Sequence, residues 1–442
     1  MEIAIKIIQL LLSLSILVIV HEFGHFAAAK IFKTRVEKFY LFFDPWFSIF
    51  KFKHKGTEYG MGWLPLGGYV KISGMIDESM DKEAMKQPPK DYEFRSKPAW
   101  QRLIIMLGGV TMNVVLAFLI YIGMLSIYGE QFLPTSEANR YGIATDSLGR
   151  SFGFRNGDKI LNVDGEYVED FNKIPLTMIL ENARQLEIER NGARETLTLP
   201  ENAIAQLVKH DNPLFLSVRI PFIAAAFSEG SVAEQAGMKV GDTILGINGV
   251  SMRYFQDFRE GIQQFKNQDV VINVKRGSDS IDLSVQVPEQ GLIGVYPSQQ
   301  LTDFFRFSEK HYNFAQAIPA GVKKTVDGIG GYLKQLKLLF SPEVKAYESV
   351  GGFISIGSIF PPVFHWESFW RLTAFLSIML AVLNLLPIPA LDGGHVMFLF
   401  YEIIAGRKPS DKFMEVAQIV GMVLLFGLLI FANGNDVMKL FR

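Results

Sequence analysis

Five consecutive residues near the start of the sequence carry the side chains best suited to chemistry. They are His21-Glu22-Phe23-Gly24-His25, an HExxH pattern. Positions i and i+4 of a helix face the same way, so both imidazoles can reach one metal ion. Glu22 lies beside them, where a carboxylate can take a proton from an attacking water. The pattern predicts a hydrolytic metal centre with His21 and His25 as ligands and Glu22 as general base.

The surroundings of this motif are apolar. Residues 7–20 carry no charge, and Glu22 is the only formal charge before Lys30. Each ionisable group near the middle of a spanning helix costs about 2.5–3.5 kcal/mol on insertion scales. Three such groups within five residues are hard to explain as ordinary polar residues of a helix core. A metal site is therefore favoured over that interpretation.

A third ligand is expected elsewhere, because catalytic zinc usually has three protein ligands and one open position. The apolar run 372–391 leads into Asp392, and Pro387 and Pro389 break the helix just before it. Asp392 is the natural carboxylate ligand, although an aspartate in a turn before Gly-Gly would have the same sequence. His395 is an alternative ligand.

Two further features are candidates for contact with a substrate. Asn384 is an amide in the same apolar run, and it either hydrogen-bonds an extended substrate or joins two helices. Residues 60–72 are apolar, rich in glycine and proline, and too short to span a bilayer. Such backbone is tolerated at membrane depth only when it is buried in protein or lines a cavity. We expect a membrane re-entrant β-hairpin here, with an extended edge that pairs with an unwound substrate.

Long apolar runs must position these residues. About 20 apolar residues are needed to cross the hydrocarbon layer as a helix. The first run could be mistaken for a signal peptide, but it carries the HExxH motif and is expected to be retained. Buried helices of a soluble protein would not give four such runs. We expect four spans at about 4–28, 103–128, 370–391 and 414–434.

Lysines and arginines predict the orientation of these spans, because they concentrate in short cytoplasmic loops. Both short loops are basic, so the termini and residues 129–370 are expected on the opposite, extracytoplasmic side. The metal site is then expected near the cytoplasmic side of the membrane. The basic residues are Lys30, Lys33, Arg35, Lys38, Arg95, Lys97, Arg102, Arg407, Lys408 and Lys412.

Overall composition excludes several classes of function. The net charge of −1 gives no support for a nucleic-acid partner, which usually needs a basic surface. The absence of cysteine excludes disulfides and thiolate metal ligands. A G-x-S-x-G motif for a serine nucleophile is also absent.

The segment between the second and third spans contains an internal repeat. Residues 156–165 and 240–249 share a Gly-Asp-x-Ile-Leu core that runs into Asp164-Gly165 or Asn248-Gly249, both strong tight-turn dipeptides. Two tandem small domains are predicted, at 129–217 and 218–300. Their cores are similar to those of PDZ domains, which bind an extended peptide at a sheet edge. The turn residues themselves are expected to serve only the fold, and residues 220–227 are the expected edge of the groove.

Residues 301–369 are amphipathic rather than spanning. Aromatic residues are interleaved with lysines, which is typical of interfacial helices that could contact a substrate. The alternative is a connector that packs on the second repeat.

Taken together, the motifs resemble those of the site-2 protease family of intramembrane metalloproteases. The resemblance rests on HEFGH, on LGGYVK at 66–71, on the tandem PDZ cores, and on N-x-x-P-x-P-x-L-D-G-G-H at 384–395. It covers nearly the whole chain in order. One departure is Gly351-Gly352-Phe353, where family members often have Gly-Pro.

The resemblance implies a polytopic α-helical membrane protein, four spans with two extracytoplasmic PDZ domains, that cleaves membrane segments of single-span proteins. The implied substrates are trimmed anti-sigma factors and remnant signal peptides in the lipid bilayer. The implied location is a bacterial inner membrane, with the PDZ domains and both termini on the periplasmic side. Zn²⁺ would be bound by His21, His25 and Asp392, with Glu22 as general base. The implied substrate-binding residues are Asn384, Gly67, Gly68, Tyr69, Pro387 and Pro389.

Two rival functions remain at this point. A PDZ-bearing membrane scaffold with an inactive metal site would have no need for Glu22. An ordinary zinc protease acting on soluble proteins would not place His21 in an apolar run.

Overall fold

The computed structural model describes residues 1–75, 88–210, 215–339, 341 and 350–441. These divide into two compact units. The membrane unit comprises residues 1–129 together with the described residues from 311 onward, apart from 341. The repeat unit comprises Glu130–Lys310. Parts of the predicted first PDZ domain (211–214) and connector (340 and 342–349) lie outside the described residues.

The membrane unit is built mainly from helices. Among the described residues, four helices are long and apolar enough to cross a membrane, which confirms the four predicted spans: α1, α2, α5 and the part Lys412–Leu440 of α7. The helices are α1 Glu2–Ile31, α2 Ala99–Ile127, α3 Phe314–Leu339, α4 Phe353–Ser358, α5 Trp366–Asn384, α6 Asp392–Ala405 and α7 Asp411–Leu440, with a 3-10 turn at Phe94–Ser96.

Helix α2 is the centre of the membrane unit, since α1, α3, α5 and α6 all pack against it. Glycines let α1 and α2 approach closely. A Cβ placed on Gly24 would lie 2.1 Å from the carbonyl oxygen of Gly108, and one on Gly108 would lie 2.5 Å from that of Gly24. Small residues are the usual means by which membrane helices bring their backbones together. Gly24 of the HExxH motif therefore serves this helix crossing.

The break between α5 and α6 corrects one sequence prediction. The third span was expected to reach residue 391, but α5 ends at Asn384. Pro387 and Pro389 lack the backbone N–H that a continuing helix needs. Helix α6, which was not predicted, then begins at Asp392. Its far end is joined to α2 by a buried ion pair between Glu402 and Arg102.

The predicted re-entrant hairpin at 60–72 is only part of a larger sheet, formed by strands β1 Val36–His54 and β2 Thr57–Ile72. Residues 38–41 pair with 58–61 on one side and with 68–71 on the other, while 50–54 pair with 57–61. Residues with positive φ at Phe42 (65°) and Trp46 (74°) allow β1 to turn back on itself. The segment 68–72 is consequently an edge of this sheet.

The connector helix α3 belongs to the membrane unit. It packs against α2 and α5, with Gly321 against Ile122 and Tyr332 edge-on to Phe375.

The Gly351-Gly352-Phe353 segment is held by α7. The backbone N–H of Gly352 donates to Asp436 Oδ2 over 2.9 Å, and that of Phe353 donates to Asn433 Oδ1 over 3.1 Å. Asp436 also accepts a bond from the Ser355 backbone. These contacts satisfy the first backbone donors of α4, which have no partner within a helix.

The repeat unit has two halves that share a core order of strand, short helix, strand, short helix and two paired strands. Its strands are β3 Glu130–Phe132, β4 Ile143–Thr145, β5 Lys159–Val163, β6 Gln185–Arg190, β7 Ala193–Thr198, β8 Leu216–Val218, β9 Ala224–Phe227, β10 Thr243–Ile247, β11 Val250–Ser251, β12 Asp269–Arg276, β13 Asp279–Gln286, β14 Val295–Pro297 and β15 Ser308–Lys310. Short helices lie at Thr135–Ala138, Ser147–Ser151, Ile174–Leu180, Ala203–Lys209, Val232–Gln235 and Phe255–Gly261, and 3-10 turns at Phe171–Lys173, Ile262–Phe265 and Leu301–Asp303.

The sheets of the two halves correspond. Strands β5-β6-β7 form one sheet and β11-β10-β12-β13 the other. Asp164 and Asn248 have φ of 47° and 50°, and the glycine after each is also positive, so both predicted tight turns are present. An arginine from β6 or β12 binds a buried aspartate in each half, as Arg190–Asp158 and Arg276–Asp242. Strand β3 pairs with β15.

The second half contains a cavity of about 360 Å³. Phe255, Phe258 and Arg259 line one side of it, and residues 290–296 line another. The predicted groove edge at 220–227 contributes Phe222. Within that range, β9 pairs with β14, the strand that borders the cavity.

Candidate metal centre

Helices α1 and α6 bring three ligand atoms together. Oδ2 of Asp392 lies 3.2 Å from Nε2 of His21 and 3.3 Å from Nε2 of His25. The two Nε2 atoms are 3.3 Å apart. Both histidines are buried. Within the described residues, His21, His25 and Asp392 form a group that could hold a metal ion.

These separations fit zinc. Ligand atoms bound about 2.0–2.2 Å from a tetrahedral metal lie roughly 3.3–3.6 Å from one another. Oδ2 of Asp392 is buried and has no hydrogen-bond partner by geometry, although both Nε2 atoms lie close to it. Three converging lone pairs without a donor between them are the arrangement that a cation stabilises. The residues present therefore fit the Zn²⁺ that the sequence implied.

Two other groups orient the imidazoles. Nδ1 of His25 lies 2.8 Å from the backbone oxygen of Ile105. Nδ1 of His21 lies 3.2 Å from the side-chain amide of Asn113 on α2. The contact of Asn113 with His21 was not predicted from the sequence. The available signal was a lone amide within the uncharged run 103–128.

Gly109 on α2 leaves the space that both imidazoles occupy. A Cβ at this position would lie 2.5 Å from His25 Nε2 and 2.7 Å from His21 Nε2. Any side chain would push the ligands apart. The need for glycine at position 109 cannot be predicted from the sequence, because it depends on how α1 and α2 pack together.

Glu22 lines the same cleft as the two histidines. The cleft has a volume of about 670 Å³, and residues 68–72 of β2 form one of its walls. The backbone of Gly68 approaches α1 so closely that a Cβ there would lie 2.6 Å from Val18 Cγ1 and 3.4 Å from Glu22 Cγ. The edge of the small sheet therefore runs directly beside the carboxylate.

The residues expected to bind substrate are placed differently from one another. Gly68 and Tyr69 line the cleft, and Tyr69 donates its hydroxyl to Asp44 Oδ1 over 2.9 Å. Gly67 has a φ of 145°, which strains other residues. The amide of Asn384 lies 3.4 Å from His21 Nε2.

The two prolines and His395 lie outside the group of three ligands. Pro387 is exposed, and the carbonyl of Pro389 packs against Gly421 of α7. Neither proline is among the described residues that line the cleft. His395 lines the cleft but does not belong to the group of metal-binding atoms found within the described residues.

Known proteins are similar to this chain over nearly its whole length. A model of peptidase family M50 matches residues 9–428. A protein named regulator of sigma E protease from Haemophilus influenzae is 28% identical, over 97% of this chain and 98% of its own length. Protease RseP of Yersinia pestis is 28% identical over 100% of both chains.

Proposed function

We propose, from the premise that this chain belongs to peptidase family M50, that it cleaves the transmembrane segments of single-span membrane proteins. Membership makes the protein a zinc metalloprotease. The four apolar helices, together with the RseP relatives, make it a multi-pass protein of the inner membrane. The substrate class, the orientation and the role of each residue are what we propose.

The convergence of His21, His25 and Asp392 is the observation that carries the proposal. We assign these three as zinc ligands, and Zn²⁺ when bound lowers the pKa of water and polarises a carbonyl. Glu22 takes a proton from the attacking water and passes it to the nitrogen of the leaving amine. Asn384, beside His21, hydrogen-bonds the substrate backbone.

The sheet edge at residues 68–72 is suited to bind a substrate in an extended conformation. One side of it pairs with residues 38–41, and the other side has no strand partner within the described residues. That side borders the cleft beside Glu22. A substrate helix shields its own amides, so it must unwind before cleavage, and an added strand gives the unwound backbone new hydrogen-bond partners. We assign this sheet as the re-entrant element, with exposed Trp46 and Phe47 in the membrane.

The repeat unit fits a role in substrate selection. We assign its halves as two PDZ domains on the periplasmic side, with the cavity beside β14 as a peptide groove. Both chain termini share that side, and the metal centre lies toward the cytoplasm. Trimmed anti-sigma factors and remnant signal peptides match a filter that rejects large periplasmic domains.

Purified full-length protein in detergent, incubated with single-span substrates, tests the function. Glu22→Gln should lower the cleavage rate by about 10²–10⁴-fold while zinc content stays unchanged, since Glu22 is not assigned as a ligand. Glu2→Gln, on the exposed start of the same helix, is the matched control. Zinc-loaded Glu22→Gln protein that still cleaves would contradict the assignment. Substrates with and without a large periplasmic domain, compared in the same assay, test the filter.

A further inference from the structure

We propose that Asn113 is a positioning residue that fixes the orientation of His21 by accepting a hydrogen bond from Nδ1–H through its amide oxygen. The proposal rests on the zinc site proposed above. It assigns a task to a buried amide that lies on α2, outside both sequence motifs of the site.

Asn113 has unusual surroundings. It is fully buried among apolar residues of α2. Its Nδ2 is placed 3.2 Å from His21 Nδ1, while its Oδ1 is buried without any hydrogen-bond partner. A buried carbonyl oxygen without a donor loses the hydrogen bonds it had to water, so such an arrangement calls for another partner.

The chemistry of the neighbouring ligand supplies that partner. A histidine that binds a metal through Nε2 carries its hydrogen on Nδ1 and donates it to an acceptor. For His25 that acceptor is the backbone oxygen of Ile105, which can only accept. The corresponding atom of His21 faces Asn113, whose amide offers either an acceptor or a donor.

Two groups lack a proper partner: Oδ1 of Asn113 has no donor, and Nδ1–H of His21 faces another donor. Turning the amide by 180° about its Cβ–Cγ bond gives each of them a partner. Oδ1 then faces Nδ1–H of His21, and the unpartnered oxygen acquires a donor. Both histidines then present their Nε2 lone pairs toward Asp392. Oxygen and nitrogen of an amide are assigned from the hydrogen-bond network, and this network favours the turned orientation.

A second contact is made by the backbone of Asn113, not by its side-chain amide. Ser377 on α5 donates its hydroxyl to the backbone oxygen of Asn113 over 2.8 Å. This bond joins α2 to α5, the helix that ends at Asn384. Ser377 thus contacts Asn113 but does not hydrogen-bond its side-chain amide or the His21 imidazole. It therefore provides a matched control.

Three variants of the full-length protein in detergent test the proposal: Asn113→Leu, Asn113→Asp and Ser377→Ala. Zinc affinity is measured by competition with a chelator, and the ligand geometry by the absorption spectrum of the Co²⁺-substituted protein. Asn113→Leu removes the acceptor and should weaken zinc binding by about 10–100-fold. Asn113→Asp keeps an acceptor but no donor, so it should bind zinc nearly as tightly as the unchanged protein. Ser377→Ala should bind zinc normally.

The aspartate variant tests whether an acceptor at this position is sufficient. A carboxylate accepts a hydrogen bond from Nδ1–H and keeps His21 in the tautomer that binds zinc through Nε2. A loss of zinc from Asn113→Asp as large as that from Asn113→Leu would show that the acceptor is not what matters. That result, or normal zinc affinity and an unchanged Co²⁺ spectrum in Asn113→Leu, overturns the proposal. His21→Ala separates this from the proposed site: retained zinc there refutes the site itself.

Discussion

Asp392 of the membrane unit and two buried aspartates of the repeat unit have different partners. Asp158 and Asp242 in the repeat unit each bind an arginine of the same half. In the membrane unit, Asp392 faces two imidazoles. A carboxylate–guanidinium pair satisfies itself, whereas one carboxylate and two imidazole nitrogens converge on a position that only a cation completes.

A buried polar residue therefore indicates different things in the two units. In an aqueous domain, a paired aspartate at a turn serves the fold. In a membrane helix, an ionisable group without a pairing charge or hydrogen-bond donor costs enough that its presence indicates a function. Substitutions of polar groups in each unit test this rule.

The largest effect is expected from removal of the distal ligand. Asp392→Ala should lower zinc affinity by more than about 100-fold, because loss of residues that merely support a ligand already costs 10–100-fold. His395→Ala, three residues later on α6, should keep its zinc. Metal analysis of both purified variants checks this. The reverse result would make His395 the ligand.

A smaller effect, on the cleavage rate, is expected from substitution of Gly109. Gly109→Ala should lower the cleavage rate by about 100-fold, the usual result of displacing a catalytic group by roughly 1 Å. Gly123 lies on the same helix, and a Cβ there would meet nothing within 4 Å. Gly123→Ala should therefore remain active and gain up to about 1 kcal/mol of helix stability. Equal activities of the two variants would show that the imidazoles have room to spare.

The smallest effect is expected in the repeat unit. Hydrogen bonds from Arg276 hold the pKa of Asp242 below its ordinary value. A depressed pKa stabilises the fold above the ordinary pKa near 4, and this stabilisation is lost as the pH falls through the folded-state value. Asp242→Asn should cost about 1.5–3 kcal/mol at pH 7, and the difference should shrink below about pH 4.

Urea unfolding of the segment 130–310 at several pH values measures this difference. Glu289→Gln replaces an exposed carboxylate of the same half and should change little. A pH-independent loss in Asp242→Asn would mean that shape, rather than charge, matters at this position.

The sequence was most informative where local spacing sets the geometry. His21 and His25 lie one helical turn apart, so their convergence follows from the helix alone. The four spans follow from apolar length. The tight turns at Asp164 and Asn248 follow from their dipeptides, which tolerate positive φ.

Features that depend on pairing between distant segments escaped prediction. Strand β1 was missed because turns at Phe42 and Trp46 interrupt its alternation. Helix α6 was missed because two prolines and two glycines surround its first residue. Gly109 and Asn113 acquire their roles only when α1 lies against α2, which no local pattern encodes.

The position of Asp392 late in the sequence has a consequence for the biosynthesis of the protein. Helices α1 and α2, with both histidines and Glu22, are synthesised first, whereas the proposed third ligand is made only after the whole repeat unit. With the proposed ligands, a nascent chain therefore has two of the three metal-binding side chains throughout the synthesis of the repeat unit. The proposed site is complete only once residue 392 has been added.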